Sequence, residues 1–141
     1  RQTRRHTRPC CKEKRGDVIL NVWHDKISFE KLKNTLKNIR YSGLIYLKKE
    51  PCILHISCRS LKHAQEIINI TNNKAGWKRC GIIASDKRFI VELNGTEKIE
   101  FPIMNNKKIL IDDNFISLIV NEANKKLQIS WDRIKNLEKY L

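Results

Sequence analysis

The 141-residue sequence predicts an α+β fold: a mixed, largely antiparallel sheet of six or seven strands with helices packed on it, the last helix long. Three observations predict it. Short apolar segments of period two are separated by tight-turn residues, and strands joined that way pair antiparallel. Three other stretches carry apolar residues at helical spacing behind a capping side chain. Neither GxGxxG nor GxxxxGK[ST] occurs after a strand, so a Rossmann-type parallel sheet is not expected.

Residues 1–16 hold seven lysines and arginines, one acid, and no apolar side chain except Cys10 and Cys11. Such a segment buries no face and reads as a basic arm or loop. Residues 17–141 read as a single α+β domain. Val18 to Trp23 is a strand by its β-branched and aromatic content. Ser28 caps a helix carrying Phe29, Leu32, Leu36 and Ile39, and Gly43 ends that section. Leu44 to Leu47 is a short strand, Lys48-Lys49-Glu50-Pro51 a turn, and Cys52 to Cys58 the returning strand.

Ser60 caps a second helix with Leu61, Ala64, Ile67 and Ile68, and Gly76 suits its C′ position. Cys80 to Ala84 and Phe89 to Leu93 are strands around a Ser85-Asp86-Lys87 turn. Helix–strand–strand therefore occurs twice, over 28–58 and 60–93, as an internal pseudo-duplication. Asn94-Gly95 signals a hairpin. Lys98 to Ile103 is a strand, and Lys107 to Ile111 adds another. Asp112 or Asp113 then caps a C-terminal helix over 113–140, about 40 Å long. Phe115, Ile119, Ala123, Leu127, Ile134, Leu137 and Leu141 form its apolar stripe.

Lysine and arginine number 29 against 15 aspartates and glutamates, a formal charge of +14. That charge attracts polyanions, nucleic acid foremost. No apolar run reaches the roughly 18 residues of a membrane span, and no apolar segment follows the first arginines as in a secretory signal. A cytoplasmic protein with no membrane partner is expected. The five cysteines show no CxxC spacing and no accompanying His-x-x-x-His, so neither a metal site nor a disulfide framework is expected.

The segment Cys52-Ile53-Leu54-His55-Ile56-Ser57-Cys58 carries the most chemistry. Side chains of a strand alternate between its faces. Cys52, Leu54, Ile56 and Cys58 make an apolar face, while His55 and Ser57 share the other, with Arg59 at the strand end. An imidazole, a hydroxyl and a guanidinium on one surface can move a proton, orient a ligand and hold an anion. The competing reading is a hydrogen-bonded structural histidine. Trp23 and His24 end the first predicted strand, where a ring can stack on a base and an imidazole can meet a phosphate; Trp23 is equally a core residue. Trp77 and Lys78, after Gly76, combine an aromatic platform with a cation, as single-stranded nucleic-acid contacts require. Their bland counterpart is a helix end with a packed tryptophan.

An ordered series of motifs adds a resemblance. Trp23-His24, Glu50-Pro51, Leu54-His55-Ile56-Ser57-Cys58-Arg59, Ala64-Gln65, Gly76-Trp77-Lys78 with Gly81-Ile82, Glu100, Pro102 and Asn121-Glu122-Ala123-Asn124-Lys125-Lys126 together resemble the wybutosine-synthesis tRNA methyltransferases of archaea and eukaryotes. The resemblance runs from about Gly16 to Leu141. It implies a duplicated α+β fold unlike Rossmann methyltransferases, and S-adenosylmethionine as cofactor. It also implies methylation of the N4 nitrogen of a demethylwyosine-type base next to the anticodon of tRNA-Phe. His55 is then expected to accept or orient a proton, Arg59 to clamp a carboxylate or phosphate, and Ser57 to assist. Trp23 and Trp77 would stack, and His24 and Lys78 would touch backbone or cofactor. The family's Ser-Ser-Cys-x-Gly-Arg motif has no counterpart in 1–16, so no role is carried onto those residues. A non-catalytic RNA- or tRNA-binding module is the alternative function.

Overall fold

The computed structural model describes residues 18–85 and 87–141. The predicted basic arm, and Asp86 of the Ser85–Lys87 turn, lie outside the described residues. In chain order the elements are α1 (Phe29–Asn38), β1 (Ile45–Lys49), β2 (Ile53–Cys58), α2 (Leu61–Asn73), β3 (Arg79–Ser85), β4 (Arg88–Asn94), β5 (Ile99–Asn105), β6 (Lys108–Ile109) and α3 (Asp113–Glu138). The α+β class, the antiparallel pairing and the long last helix agree with the sequence. The six strands, however, divide into two three-stranded sheets, ordered β1-β5-β6 and β2-β4-β3.

This division corrects two expected hairpins. β1 pairs with β5 rather than with β2, so Lys48 and Lys49 end the strand and Glu50 to Cys52 crosses between sheets instead of turning. Likewise β4 and β5 belong to different sheets, and Gly95 to Lys98, after Asn94 has ended β4, is the second crossing. The two crossings touch, because the Gly95 amide donates to the Cys52 carbonyl at 2.8 Å. The approach is close: a Cβ at Gly95 would sit 3.0 Å from Cys52 Sγ and 3.3 Å from its backbone nitrogen, so these neighbours would have to give by a few tenths of an ångström. The left-handed turn residues stand instead at Asn106 and Lys107, with φ of 48° and 63°, between β5 and β6. Gly76, at φ +74°, does turn the chain after α2, where the Trp77 amide donates to the Thr71 carbonyl.

Each sheet has its own core. Leu32 and Leu36 of α1, Ile103 and Met104 of β5, and Ile116 and Val120 of α3 form the first. Ala64 of α2, Trp77, Val91 and Leu93 of β4, and Leu137 of α3 lie in the second. Thus α3, capped by the Asp112 carboxylate at 2.8 Å from the Phe115 amide, serves both cores with its two ends. Its inward stripe contains Ile116 and Val120; the predicted members Phe115 and Leu141 are exposed. Ile119, Ile134 and Leu137 pack inward as expected, and Ile116 and Val120 join them because the apolar pairs at 115–116 and 119–120 offer a second phase that meets β5.

Val18 to Trp23 is no strand. Among the described residues it pairs with no sheet, since β-branched composition forms a strand only where an edge accepts it. It is extended chain beside the first core, tied down by Asn124 of α3. The Asn124 amide donates to the Ile27 carbonyl at 2.8 Å and accepts from the Ile27 amide at 3.0 Å. Asn124→Ala should cost about 1–2 kcal/mol, read by urea denaturation, and should raise proteolytic cleavage between residues 18 and 27.

Candidate functional site

Among the described residues, the sheet β2-β4-β3 is covered on one face only. Leu54, Ile56, Cys58, Phe89, Val91, Leu93, Cys80 and Ile82 point toward α2 and the end of α3. The register then places three rows on the opposite face: Ile53, Asn94 and Arg79; His55, Glu92 and Gly81; Ser57, Ile90 and Ile83. Alternation along Cys52 to Cys58 is as predicted, and His55 and Ser57 share this open face. The His55 side chain is 55% exposed.

His55 is not alone. Its Nε2 lies 2.8 Å from Glu92 Oε2, directly across the β2–β4 pair. The other oxygen, Oε1, accepts from Asn94 Nδ2 at 2.9 Å. Hydrogen bonds from His55 first and Asn94 second hold the Glu92 carboxyl below its ordinary value. An ionised Glu92 favours the His55 tautomer with its proton on Nε2, which makes Nδ1 the acceptor nitrogen. Nothing lies within 4 Å of where a Cβ of Gly81 would be, so the face is open on the far side of Glu92. A half-exposed imidazole held through one nitrogen, with the other able to accept, suits a general base.

The other predicted residues fall in different places. Arg59 and Ser57 line a shallow depression of about 450 Å³ that also includes Glu66 and Tyr140. His55 does not line it. Trp23 and His24 line a separate cleft of about 1200 Å³ between 18–25, α1, β1 and α3, with Trp23 half-buried against the first core. Lys78 is exposed ahead of β3. Trp77 is corrected: only 1% exposed, it is a core residue with no ring face for a base. The Arg133 guanidinium sits 5.8 Å from its ring centre, and its indole nitrogen is buried without a partner among the described residues.

Sequence reasoning missed Glu92 and Asn94. The period-two signal was present in Arg88-Phe89-Ile90-Val91-Glu92-Leu93-Asn94, but their meeting with His55 depends on a pairing 37 residues apart. It also missed the polar hub between the sheets. Arg133 grips Glu97 with two bonds of 2.8 Å, and Lys49 Nζ donates to the Glu97 carbonyl and to Ser130 Oγ, both at 3.0 Å. Among the described residues no group of three or more His, Cys, Asp or Glu could hold a metal ion, and no helix is long and apolar enough to cross a membrane.

The sequence matches the family described as Methyltransferase TYW3 over residues 1–141. The chain belongs to this family. A relative from Archaeoglobus fulgidus is 29% identical over 129 residues, covering 92% of this chain and 64% of the relative. One from Methanocaldococcus jannaschii is 33% identical over 110 residues, covering 77% and 56%. Both are named tRNA(Phe) 7-((3-amino-3-carboxypropyl)-4-demethylwyosine(37)-N(4))-methyltransferase. The chain thus spans about three-fifths of the length of these curated relatives. Among solved structures, the PH1069 protein from Pyrococcus horikoshii superposes with a TM-score of 0.75 at 28% identity, over 83% of this chain and 59% of that one. The expected family, and its fold distinct from Rossmann methyltransferases, are both met.

Proposed function

We propose that this chain is a tRNA methyltransferase domain that places a methyl group on the N4 nitrogen of a demethylwyosine-type base in tRNA-Phe. The family and the relatives' names support the reaction class. Within the structure, the observation that carries the reading is the His55–Glu92 pair, on a sheet face that no described residue covers. The methyl donor is S-adenosylmethionine, which supplies an electrophilic methyl carried on a sulfonium. The cleft beside Trp23 has the volume for such a donor, and the half-buried Trp23 ring suits its flat adenine.

This chain's own residues then do the following. His55 Nδ1 takes the proton from the ring nitrogen, freeing its lone pair. Glu92 stays ionised, holds the imidazole through Nε2 and stabilises the imidazolium that forms. Asn94 fixes the Glu92 carboxylate from its other oxygen. Arg79, on the same sheet face, and Arg59, at the end of β2, are placed for the phosphates on either side of the target nucleotide. Ser57 offers a hydrogen bond one row along.

The test is transfer of a labelled methyl group from S-adenosylmethionine to tRNA-Phe carrying the demethylated tricyclic base. Label on that base alone is expected, and none on unmodified tRNA. Salt-sensitive tRNA binding without label transfer would overturn the catalytic reading.

A further inference from the structure

Asn94-Gly95 has the residues of a hairpin turn and makes none. Asn94 ends β4, opposite Ile53 on one side and Arg79 on the other. Gly95 does not use positive φ; among the described glycines that is Gly76. Each residue has its own task instead. The Asn94 amide donates to Glu92 Oε1 at 2.9 Å. Gly95 lies against Cys52 and donates its own amide to the Cys52 carbonyl at 2.8 Å.

Side by side, the two residues form a reactive pair. An asparagine carries an amide carbon within reach of the next main-chain nitrogen, and a following glycine puts no Cβ in the way. Attack of the Gly95 nitrogen on Asn94 Cγ forms an N–Cγ bond and breaks the Cγ–Nδ2 bond. The proton of the Gly95 amide leaves with Nδ2 as ammonia, and a succinimide remains. Water then opens the ring. Cleavage at Cγ gives aspartate at position 94. Cleavage at the main-chain carbonyl gives isoaspartate, whose main chain runs through the former side chain and is a methylene longer. Either product has a carboxyl group in place of the amide.

The folded chain holds both reactants. Gly95 is buried and its amide is engaged by Cys52, while pairing on both sides keeps Asn94 extended and Glu92 holds its side chain. Attack therefore waits on local opening of the crossing. Arg133 restrains that opening, because it grips Glu97 two residues further on.

We propose that Asn94-Gly95 is a site of spontaneous deamidation, gated by the contact between the two crossings, and that its products disable the His55–Glu92 pair. The second half rests on the function proposed above. A carboxylate at 94 has no hydrogen to donate to Glu92 Oε1 and sets a like charge beside it. Glu92 is then no longer fixed from its second oxygen, and His55 loses a fixed partner.

The experiment holds the full chain in mildly alkaline buffer, folded and in urea, with trypsin digestion at intervals. The peptide Phe89–Lys98 reports conversion by its mass gain and by separation of aspartyl from isoaspartyl forms. Conversion in urea should be about tenfold or more faster, because the folded chain must first give up the Gly95–Cys52 bond and the strand pairing. Folded Glu97→Ala should convert at an intermediate rate; the comparison with urea stands without it if that variant does not fold. Methyl transfer by the aged folded chain should fall in proportion to the converted fraction, with tRNA binding retained. Asn94→Asp, made directly, should transfer about tenfold or more slowly, and its His55 ring resonances should move.

Equal rates in urea and in the folded chain overturn the gating. No conversion at Asn94 in either overturns the site. Undiminished transfer by Asn94→Asp, or unmoved His55 resonances, overturns the consequence. A fresh unmodified chain that transfers no methyl group sinks the proposed function instead, while the conversion rates and the His55 resonances still decide the rest.

Discussion

Replacing Glu97 by alanine should destabilise the fold by about 3–5 kcal/mol, the range for removing one partner of a buried ion pair. The Glu97 side chain is 9% exposed and that of Arg133 20%. The carboxylate accepts four hydrogen bonds, two from Arg133 and two from the Thr96 amide and hydroxyl. Without it, Arg133 and Lys49 remain as two cations in one partly buried place, and the segment joining β4 to β5 loses its hold on α3. That segment and its neighbour joining β1 to β2 are the covalent connections between the sheets, so the damage should reach both cores. Urea denaturation at neutral pH reads the effect; a difference below about 1 kcal/mol, the level of an exposed pair, would refute it.

The pH dependence of that difference has a definite sign. Burial pushes the Glu97 carboxyl up, but hydrogen bonds from Thr96 and Arg133 and the Arg133 charge outweigh it, so it titrates below its ordinary 4.5. A carboxyl with a depressed native pKa contributes stability above the unfolded pKa and loses it as pH falls through the native one. The gap between the unmodified chain and Glu97→Ala should therefore be full near neutrality and should narrow on acidification below 4.5.

How much of this was legible depended on how local the cause was. The caps Ser28, Ser60 and Asp112 act within one helical turn, and each stands where the sequence places it. Alternation along β2 is likewise local, because the two faces differ sharply in polarity. Pairing is not local. Lys48 to Pro51 and Asn94-Gly95 have the residues of tight turns, yet they end strands and lead into crossings because β1 finds its partner at β5, about fifty residues on. Nothing in a dipeptide encodes that choice; burial of two separate apolar faces does. Trp77 was ambiguous for a related reason. A tryptophan between a glycine and a lysine suits a stacking platform or a core plug equally, and only the closure of α3 over β4 decides. Glu92 became visible as His55's partner only once the β2–β4 register was known, and the inward Lys49 only once β1 had a buried face.

His55→Ala should lower the rate of methyl transfer about 10²- to 10⁴-fold, the contribution of a positioned general base. Stability should change by less than about 0.5 kcal/mol, because the side chain is more than half exposed and packs in neither core. This separates a catalytic role from a structural one, since a structural histidine would move the second quantity and spare the first. Glu92→Gln offers a sharper division. Glutamine keeps the contact but removes the charge, so the imidazole loses the group that fixes its proton on Nε2 and stabilises its charged form. The rate should fall by less than in His55→Ala, with little change in tRNA affinity. Combining the two substitutions should cost no more than His55→Ala alone, as Glu92 acts only through the ring. A Glu92→Gln penalty that survives in the absence of His55 would instead place the carboxylate in direct contact with substrate, and a rate unchanged in His55→Ala would remove this sheet face from the chemistry.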